Sequence, residues 1–329
     1  MTGLSSSILV TGGAGYIGSI VAERLLDRGE QVVILDNLSR GHRDAVPSEA
    51  VFVQGDIDNR DLLRATLREH RVRAVMHFAA YALVGESMQQ PELYYRNNVL
   101  GSLVLIEEAR CSGVERFILS STCAVYGDRN PPPLTEDSPL GPINPYGESK
   151  LAVERALGWM HRAHGWPYFC LRYFNACGAT ATRGERHDPE THLIPLVFRA
   201  ASGQSEALSI LGDDYPTPDG TCIRDYIHVE DLADAHILAL EAPASASGVY
   251  NAATGRGHSV REVIDAASRI TGRSIPVRVA PRRPGDAPEL VADPAKIQRV
   301  FGWRARHDLE SVLSSAWAFF ARPVFARQG

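Results

Sequence analysis

The chain has 329 residues, of which 44% are hydrophobic and 22% charged, and its 28 glycines and 20 prolines are scattered along its length. This composition excludes collagen, coiled coil and intrinsic disorder, and the length predicts about two structural units. Because the formal net charge is −5, there is no overall basic field, and we expect neither nucleic acid nor an anionic membrane among its partners.

Short apolar runs alternate with longer amphipathic stretches over the first half of the chain. This rhythm is typical of βαβ units built around a buried parallel sheet. The predicted strands cover residues 8–10, 31–35, 51–53, 74–78, 116–120 and 168–173. The predicted helices cover about 16–28, 60–70, 92–112 and 146–164. The sheet accounts for the chain to about residue 174.

Beyond residue 174 the pattern gives way to loops rich in Gly, Pro and Asp, with helical patterns after Val229, after Ser259 and from Asp308 to about residue 321. Residues 248–253 read as one more strand of the large sheet. We therefore predict two interleaved domains, the first comprising 1–174 and about 224–253, the second about 175–223 and 254–329. The fold class is α/β, a doubly wound parallel sheet with a smaller, interleaved C-terminal substrate domain.

The five cysteines indicate a reducing compartment. Five is an odd number, and none of the cysteines forms a C-x-x-C pair. No apolar run approaches 18 residues, so the sequence predicts no membrane helix. We expect a cytoplasmic protein.

The segment from Ile8 to Gly18 reads as a strand, a glycine-rich turn and a helix. Gly12 permits the tight turn, Gly15 lets the backbone approach a pyrophosphate, and Gly18 allows the helix to pack closely on the sheet. Asp36 closes the second strand, where a carboxylate accepts hydrogen bonds from ribose hydroxyls and repels a 2′-phosphate. The segment predicts a Rossmann-type domain that binds NAD rather than NADP.

Tyr146 and Lys150 lie four residues apart on a predicted helix, and therefore on one face of it. A neighbouring ammonium favours the phenolate and is expected to lower the pKa of the phenol from about 10 towards the working pH. Thr122 ends the fifth strand, at the sheet edge where open α/β sheets bind ligands. These three residues predict a proton-transfer site in which Thr122 binds the oxygen that Tyr146 deprotonates.

These motifs resemble the extended short-chain dehydrogenase/reductase superfamily. Further segments resemble the UDP-glucose 4-epimerase family within it, and together they span nearly the whole chain: residues 77–80, 84–87, 95–98, 120–127, 171–175, 214–217, 224–229 and 282–286. The resemblance implies an isomerase that uses bound NAD to interconvert UDP-glucose and UDP-galactose through a 4-keto intermediate. It also implies a homodimer formed by two long helices of each subunit.

The resemblance implies a role for each matched residue. Tyr146, Lys150 and Thr122 are implied to be catalytic. The residues implied to bind NAD are Gly12, Gly15, Tyr16, Ile17, Gly18, Asp36, Asn37, Asp56, Ile57, Phe78, Ala79, Ala80, Asn97, Tyr146, Lys150 and Tyr173. The residues implied to bind the nucleotide sugar are Thr122, Tyr146, Asn175, His192, Leu193, Leu211, Arg224, Arg283 and Asp286. The two arginines are suited to clamp a diphosphate, and Asp286 to accept ribose hydroxyls.

Several alternatives stay open at this point. Dehydratases of the superfamily carry an acidic residue just after the catalytic Thr, whereas Cys123 and Ala124 follow Thr122 here, so we do not expect dehydration. The substrate could instead be another UDP-sugar, such as UDP-GlcNAc, a UDP-pentose or a UDP-uronate. The bulk of Leu290 bears on N-acetylated hexoses, and Ala82 stands where some members have a Lys near the nicotinamide ribose. A remote alternative is a non-catalytic NAD-binding scaffold.

The other histidines and the loop around His187 give no prediction of a metal site or of a further catalytic group. His187, Asp188, Glu190 and His192 lie close together in the sequence, but without the spacing of a tetrahedral metal motif, so we expect no metal. His77 and His228 are expected to be hydrogen-bonded structural residues. Cys123 is expected to be a packing residue.

Overall fold

The structure is a computed structural model that describes residues 6–283 and 286–322. Its strands are β1 (Ser7–Thr11), β2 (Gln31–Asp36), β3 (Val51–Gln54), β4 (Val72–His77), β5 (Arg116–Thr122), β6 (Tyr168–Tyr173), β7 (Asn175–Cys177), β8 (Leu208–Leu211), β9 (Ile223–His228), β10 (Gly248–Ala252), β11 (Gly257–Ser259), β12 (Val277–Ala280) and β13 (Glu289–Leu290).

The helices lie between these strands. They are α1 (Tyr16–Asp27), α2 (Arg60–Glu69), α3 (Val84–Gln89), α4 (Pro91–Tyr94), α5 (Ser102–Cys111), α6 (Pro145–His164), α7 (Leu193–Ala201), α8 (Val229–Glu241), α9 (Val260–Thr271), α10 (Ala295–Phe301) and α11 (Leu309–Phe320). A π-helical turn covers Tyr95–Gly101, and short 3₁₀ turns cover Arg43–Ala45, Cys123–Tyr126 and Ala244–Ala246. None of the described helices is both long and apolar enough to cross a bilayer.

Seven parallel strands form the central sheet, in the order β10-β6-β5-β4-β1-β2-β3. The strand order reverses between β1 and β4, so the connections that follow these two strands leave in opposite directions. A crevice opens at such a switch point, at the carboxyl ends of the strands, and it is where sheets of this kind bind ligands. The predicted fold class is confirmed.

Both faces of the central sheet are covered, which explains the unbroken apolar strands. Alternate residues of β1 enter different cores, since Ile8 and Leu9 belong to opposite hydrophobic clusters. On one face α1 and α8 pack through residues such as Ile20 and Leu232. On the other face α2, α5 and α6 pack through residues such as Leu105.

The later part of the chain forms two small sheets. Strand β9 pairs with β7, β11 and β13, and β12 pairs with β8. Helices α7, α9 and α11 share a third hydrophobic cluster beside them. Strand β10 lies in the central sheet next to β6, as the pattern over 248–253 predicts, whereas β9 lies in the small sheet. The chain thus crosses between the sheets, and the domain boundaries given above stay a prediction.

The predicted helix over 92–112 is interrupted. It consists of α4, the π-helical turn and α5. The widened turn contains Asn98, which is almost fully buried; its side chain accepts a hydrogen bond from the backbone N–H of Tyr81 and donates to the carbonyl of the same residue, both at 2.9 Å. π-Turns of this kind are frequent at functional sites. The interruption thereby fixes the loop after β4, a contact that helical periodicity cannot reveal.

Candidate active site

A cavity of about 1230 Å³ lies at the carboxyl ends of the central strands and reaches the small sheet that contains β7 and β9. Every residue predicted to bind the cofactor or the sugar contributes to its lining. These residues are Gly12, Gly15, Tyr16, Ile17, Gly18, Asp36, Asn37, Asp56, Ile57, Phe78, Ala79, Ala80, Asn97, Thr122, Tyr146, Lys150, Tyr173, Asn175, His192, Leu193, Leu211, Arg224, Arg283 and Asp286. The structure therefore brings them together in one space. Which ligand atom each of them contacts stays a prediction.

The glycine turn after β1 leaves no room for side chains. Gly12 has φ of +70°, and a Cβ there would lie 2.5 Å from the backbone nitrogen of Ala79. A Cβ on Gly18 would lie 2.3 Å from the carbonyl oxygen of Gly12. Gly18 thus packs α1 against the turn itself, and not against the sheet as we expected. Gly15 lines the cavity and caps α1 with no side chain of its own, so the first N–H groups of the helix face an incoming ligand.

Asp36 is held at the end of β2 by the backbone around it. Its carboxylate accepts hydrogen bonds from the N–H of Ala14 at 3.0 Å and of Leu38 at 2.8 Å. Burial raises the pKa of Asp36, and these two bonds partly offset that rise. Beyond the ribose contact predicted for it, the carboxylate therefore fixes the glycine turn. Asn37 in turn donates to the carboxylate of Asp56, which orders the adjoining part of the cavity wall.

Thr122 and Tyr146 lie close together because the turn that follows β5 packs against the start of α6. The Thr122 hydroxyl accepts the N–H of Ala124 at 3.1 Å, which starts the 3₁₀ turn after β5. A Cβ on Gly147 would lie 2.7 Å from the carbonyl oxygen of Ala124, so the start of α6 sits tightly against that turn. In this position the phenol of Tyr146 is close enough to Thr122 for that side chain to lower its pKa, and both residues line the cavity. The two hydroxyls predicted to handle the substrate oxygen are thus neighbours.

Lys150 does not act on Tyr146 in the predicted way. Its ammonium donates to the carbonyl oxygen of Ser120 at 2.9 Å, and burial lowers its pKa to about 8. Burial raises the pKa of Tyr146 to about 12, although the neighbouring Thr122 side chain lowers it. The expectation that the protein's own lysine brings this phenol near neutral pH was wrong. Desolvation outweighs the lowering effect of Thr122.

A buried ion pair lies behind β5, and the sequence motifs did not predict it. Arg172 on β6 donates to both carboxylate oxygens of Glu154, at 3.0 and 2.7 Å. Ser121 also donates to Glu154, and Arg172 donates to the hydroxyl of Tyr126 at 2.9 Å. A signal was present, since Glu154 follows Tyr146 by eight residues and so continues the same helical face. The pair ties α6 to β6, and the Ser121 bond ties α6 to β5, the strand that ends at Thr122.

The predicted diphosphate clamp is built around Asp286. Arg224 donates to Asp286 and to the carbonyl of Ala287, each at 2.7 Å. Arg283 donates to the other carboxylate oxygen of Asp286 at 3.1 Å. The carboxylate therefore holds both guanidinium groups on one wall of the cavity, where Leu290 also lies. The rest of the predicted loop, residues 284–285, lies outside the described residues.

Other predicted residues occupy defined places around the cavity. Tyr16 donates to the carbonyl of Gly178 at 2.5 Å and so joins α1 to the small sheet's side of the cavity. The hydroxyl of Tyr173 is hydrogen-bonded to His236, and burial raises the pKa of this phenol. Asn97 donates to the side chain of Asn98 at 2.9 Å.

The loop before α7 carries a cluster of acidic and histidine side chains. Nδ1 of His192 lies 2.8 Å from Glu185 and 3.1 Å from Glu190, and Nδ1 of His187 lies 3.0 Å from Glu185. Burial lowers the pKa of His192, but the two carboxylates raise it to about 10. The same ring lowers the pKa of Glu185 to about 2, against the effect of burial. Sequence reasoning did not single out Glu185.

The histidines expected to be structural are hydrogen-bonded and buried. His77 lies between the hydroxyls of Thr11 at 2.6 Å and Ser102 at 2.7 Å, and burial lowers its pKa to about 3. His228 contacts Ser315 at 2.9 Å, and burial lowers its pKa to about 4. Cys123 is buried as well, which raises the pKa of its thiol to about 11, so it is a packing residue as predicted.

Fold and site together define a class of protein. Residues 8–253 match the sequence profile of the NAD dependent epimerase/dehydratase family. Individual proteins that resemble this chain belong to one group within that family. The UDP-glucose 4-epimerase of Halalkalibacterium halodurans is 48% identical over 316 residues, covering 94% of each chain, and that of Streptomyces lividans is 48% identical over 319 residues, covering 95% of this chain and 96% of the other.

A solved structure gives the same result. The crystal structure of UDP-glucose 4-epimerase from Brucella ovis in complex with NAD superposes with a TM-score of 0.92 at 47% identity, covering 96% of this chain and 98% of the other. The chain belongs to the NAD-dependent epimerase/dehydratase family and, within it, to the UDP-glucose 4-epimerases. The resemblance stated from the sequence motifs is confirmed.

Proposed function

We propose that the protein interconverts UDP-glucose and UDP-galactose, by removing the hydrogen at C4 of the hexose and returning it to the opposite face. This activity is that of the family to which the chain belongs. The observation that carries the proposal is that Tyr146 and Thr122 lie side by side in the cavity that the glycine turn also lines. The remote alternative, a scaffold without catalysis, would not need this pair.

The turn after β1 fits NAD. The positions of Gly12 and Gly18 exclude side chains, and the uncapped start of α1 offers N–H groups to a pyrophosphate. Asp36 keeps lone pairs beyond its two backbone bonds for ribose hydroxyls, and it faces the cavity. Lys150 also lines the cavity, with its ammonium held at the carbonyl of Ser120 in β5.

Catalysis by the chain's own residues is a proton transfer. NAD, when bound, supplies the hydride acceptor for C4 and a positively charged ring that favours the phenolate. Tyr146 takes the proton of the C4 hydroxyl and later returns one to the same oxygen. Thr122 holds that oxygen beside the phenol. Because the phenol has a pKa of about 12 among the protein's own groups, it is protonated at rest, and it acts as a base only in the loaded site.

The sugar must turn over between the two hydride transfers. This requires a firm hold on the UDP part and a weak hold on the hexose. Arg224, Arg283 and Asp286 offer the firm hold, since their charges gather on one wall. Asn175, at the start of β7, and the leucines at 193 and 211 face the same space and would surround the sugar.

We also propose that the protein is a homodimer. The exposed apolar residues on the π-helical turn, α5 and α6 include Leu100, Leu103 and Trp159, the last with 65% of its surface exposed. An apolar surface on two neighbouring helices is suited to pack against its own copy. Light scattering is expected to give twice the chain mass, and Trp159→Glu to reduce it to one chain mass. A cytoplasmic location is proposed from the five unpaired cysteines.

The activity is tested by product analysis. Purified protein with NAD is incubated with UDP-galactose, UDP-GlcNAc, UDP-xylose and UDP-glucuronate, and the products are separated. UDP-glucose is expected from UDP-galactose; none would contradict the proposal. Tyr146→Phe is expected to lower kcat by about 10²–10⁴ with NAD still bound. Tyr95→Phe, which changes an exposed tyrosine, is the matched control and is expected to keep full activity. A scaffold would show the same negligible turnover in all three proteins.

A further inference from the structure

Four side chains of one loop converge beside the cavity. They are Glu185, His187, Glu190 and His192, which together offer two carboxylate oxygens and two imidazole nitrogens. The ligand atoms of all four lie within 4.8 Å of one another. The spacing along the sequence gave no reason to expect this, because Glu185 completes the set only after the loop has folded.

Two carboxylates share this cluster with two imidazole rings. The side chain of Glu190 is 3% exposed and that of Glu185 is 10% exposed, so two carboxylates stand close together almost out of water. Nδ1 of His192 lies against both of them, and Nδ1 of His187 lies against Glu185. A dication would compensate both, and it would use His187 as well.

The donor types and separations suit a transition metal. Contacts between the ligand atoms are 3.0, 2.8 and 3.1 Å. Zinc bonds of about 2.0 Å in a tetrahedron place neighbouring ligand atoms about 3.3 Å apart, so small movements of the side chains would suffice. Imidazole nitrogen with carboxylate oxygen is a donor set that zinc accepts readily. Glu190 is also held in place by the N–H groups of Thr191 and His192, each at 2.8 Å, as the outer contacts of metal ligands commonly are.

We propose that Glu185, His187, Glu190 and His192 form a binding site for a divalent transition-metal ion, with zinc as the best fit. The ion would close the loop that leads into α7. His192 directly precedes this helix, and the same loop rests on the β2–β3 connection, where Arg186 pairs with Asp44 at 2.7 Å and Arg40 donates to the carbonyl of Asp188 at 3.0 Å. The metal would therefore have a structural role at the rim of the cavity and would take no part in the proton transfer.

A second group of possible ligands provides an internal control. His228, Glu230 and His307 also place three ligand atoms within 4.8 Å of one another. There, however, both ring nitrogens of His228 are engaged, one with the Ser315 hydroxyl at 2.9 Å and the other with the N–H of Glu230 at 3.1 Å. This second group is therefore not expected to bind metal.

The test measures metal directly. The full-length protein, freed of any affinity tag and purified without chelator, is analysed by plasma mass spectrometry, then stripped with EDTA and titrated with zinc sulfate alone. We expect about one zinc per chain, a higher melting temperature on adding zinc to the stripped protein, and loss of both effects in His187→Gln and Glu185→Gln. The control variants His307→Gln and His164→Gln are expected to keep both.

Three results would overturn the proposal. One is an unmodified protein that contains no metal and shows no change in melting temperature with zinc. Another is a zinc content that is the same in His187→Gln as in the unmodified chain, and the third is a loss confined to His307→Gln. His187 is partly exposed, so its variant is expected to fold, and circular dichroism checks this.

Discussion

The buried pair of Glu154 and Arg172 is expected to be worth far more to folding than an exposed pair. Both side chains are at least 96% shielded from water, and three side-chain hydrogen bonds converge on Glu154, two from Arg172 and one from Ser121. Glu154→Gln keeps the shape but removes the charge, which leaves the Arg172 guanidinium buried and uncompensated. Removing one partner of such a pair costs about 3–5 kcal/mol. We expect the free energy of unfolding to fall by that amount.

Urea denaturation with saturating NAD measures this change against a matched control. Arg28 and Glu241 form an ion pair whose side chains are about half exposed, and Glu241→Gln is expected to cost about 0–1 kcal/mol. The double variant with methionine at both 154 and 172 is expected to recover most of the loss, because no charge then stays buried. A loss below about 1 kcal/mol for Glu154→Gln, or one equal to that of the control, would refute the reasoning.

Two further changes test the cofactor turn and the buried histidines. Gly12→Ala is expected to abolish NAD retention, because the new Cβ would lie 2.5 Å from a backbone atom. Retained NAD is measured in the supernatant after heat releases it from the protein. The control Gly29→Ala has a similar positive φ but no described atom within 4 Å of the new Cβ, so it should lower the free energy of unfolding by only about 1 kcal/mol and retain NAD. The pKa values of His77, His228 and His236 are lowered to about 3, 4 and 4, so these rings stay neutral in the fold while the unfolded chain protonates them below about pH 6.5. The contribution of these three histidines to the free energy of unfolding should therefore be fully present above that pH and fall towards pH 4, by up to about 4 kcal/mol per pH unit for all three together. Urea denaturation at several pH values measures this. A free energy of unfolding that is nearly constant from about pH 6.5 to 5 would count against the prediction.

The central sheet, and the fact that the candidate site residues lie together at one edge of it, could be predicted from the sequence for a physical reason. Parallel strands that are buried on both faces need unbroken apolar runs, and their carboxyl ends meet at one edge. The motifs at Gly12, Asp36 and Thr122 all follow such runs, so finding the strands also located the cavity. The strand–turn–helix around Gly15 is local in sequence, and local chemistry fixes it.

What the sequence does not reveal depends on contacts between distant segments. The π-helical turn arises where Asn98 binds the backbone of Tyr81, which helical periodicity does not encode. The direction of the Lys150 ammonium depends on the position of the Ser120 carbonyl, and the pKa of Tyr146 depends on how deeply the folded chain buries it. A four-residue spacing places groups on one face of a helix but says nothing about desolvation.

The central claim is that one phenol and one threonine handle the C4 oxygen while the hydrogen on that carbon never mixes with water. The most direct measurement uses UDP-galactose carrying deuterium at C4, incubated with the purified protein and NAD in ordinary water, with the product examined by NMR. We expect UDP-glucose that keeps its deuterium at C4, and almost none of this product with Tyr146→Phe. Product whose C4 carries hydrogen from water, or an unchanged rate with Tyr146→Phe, would contradict it.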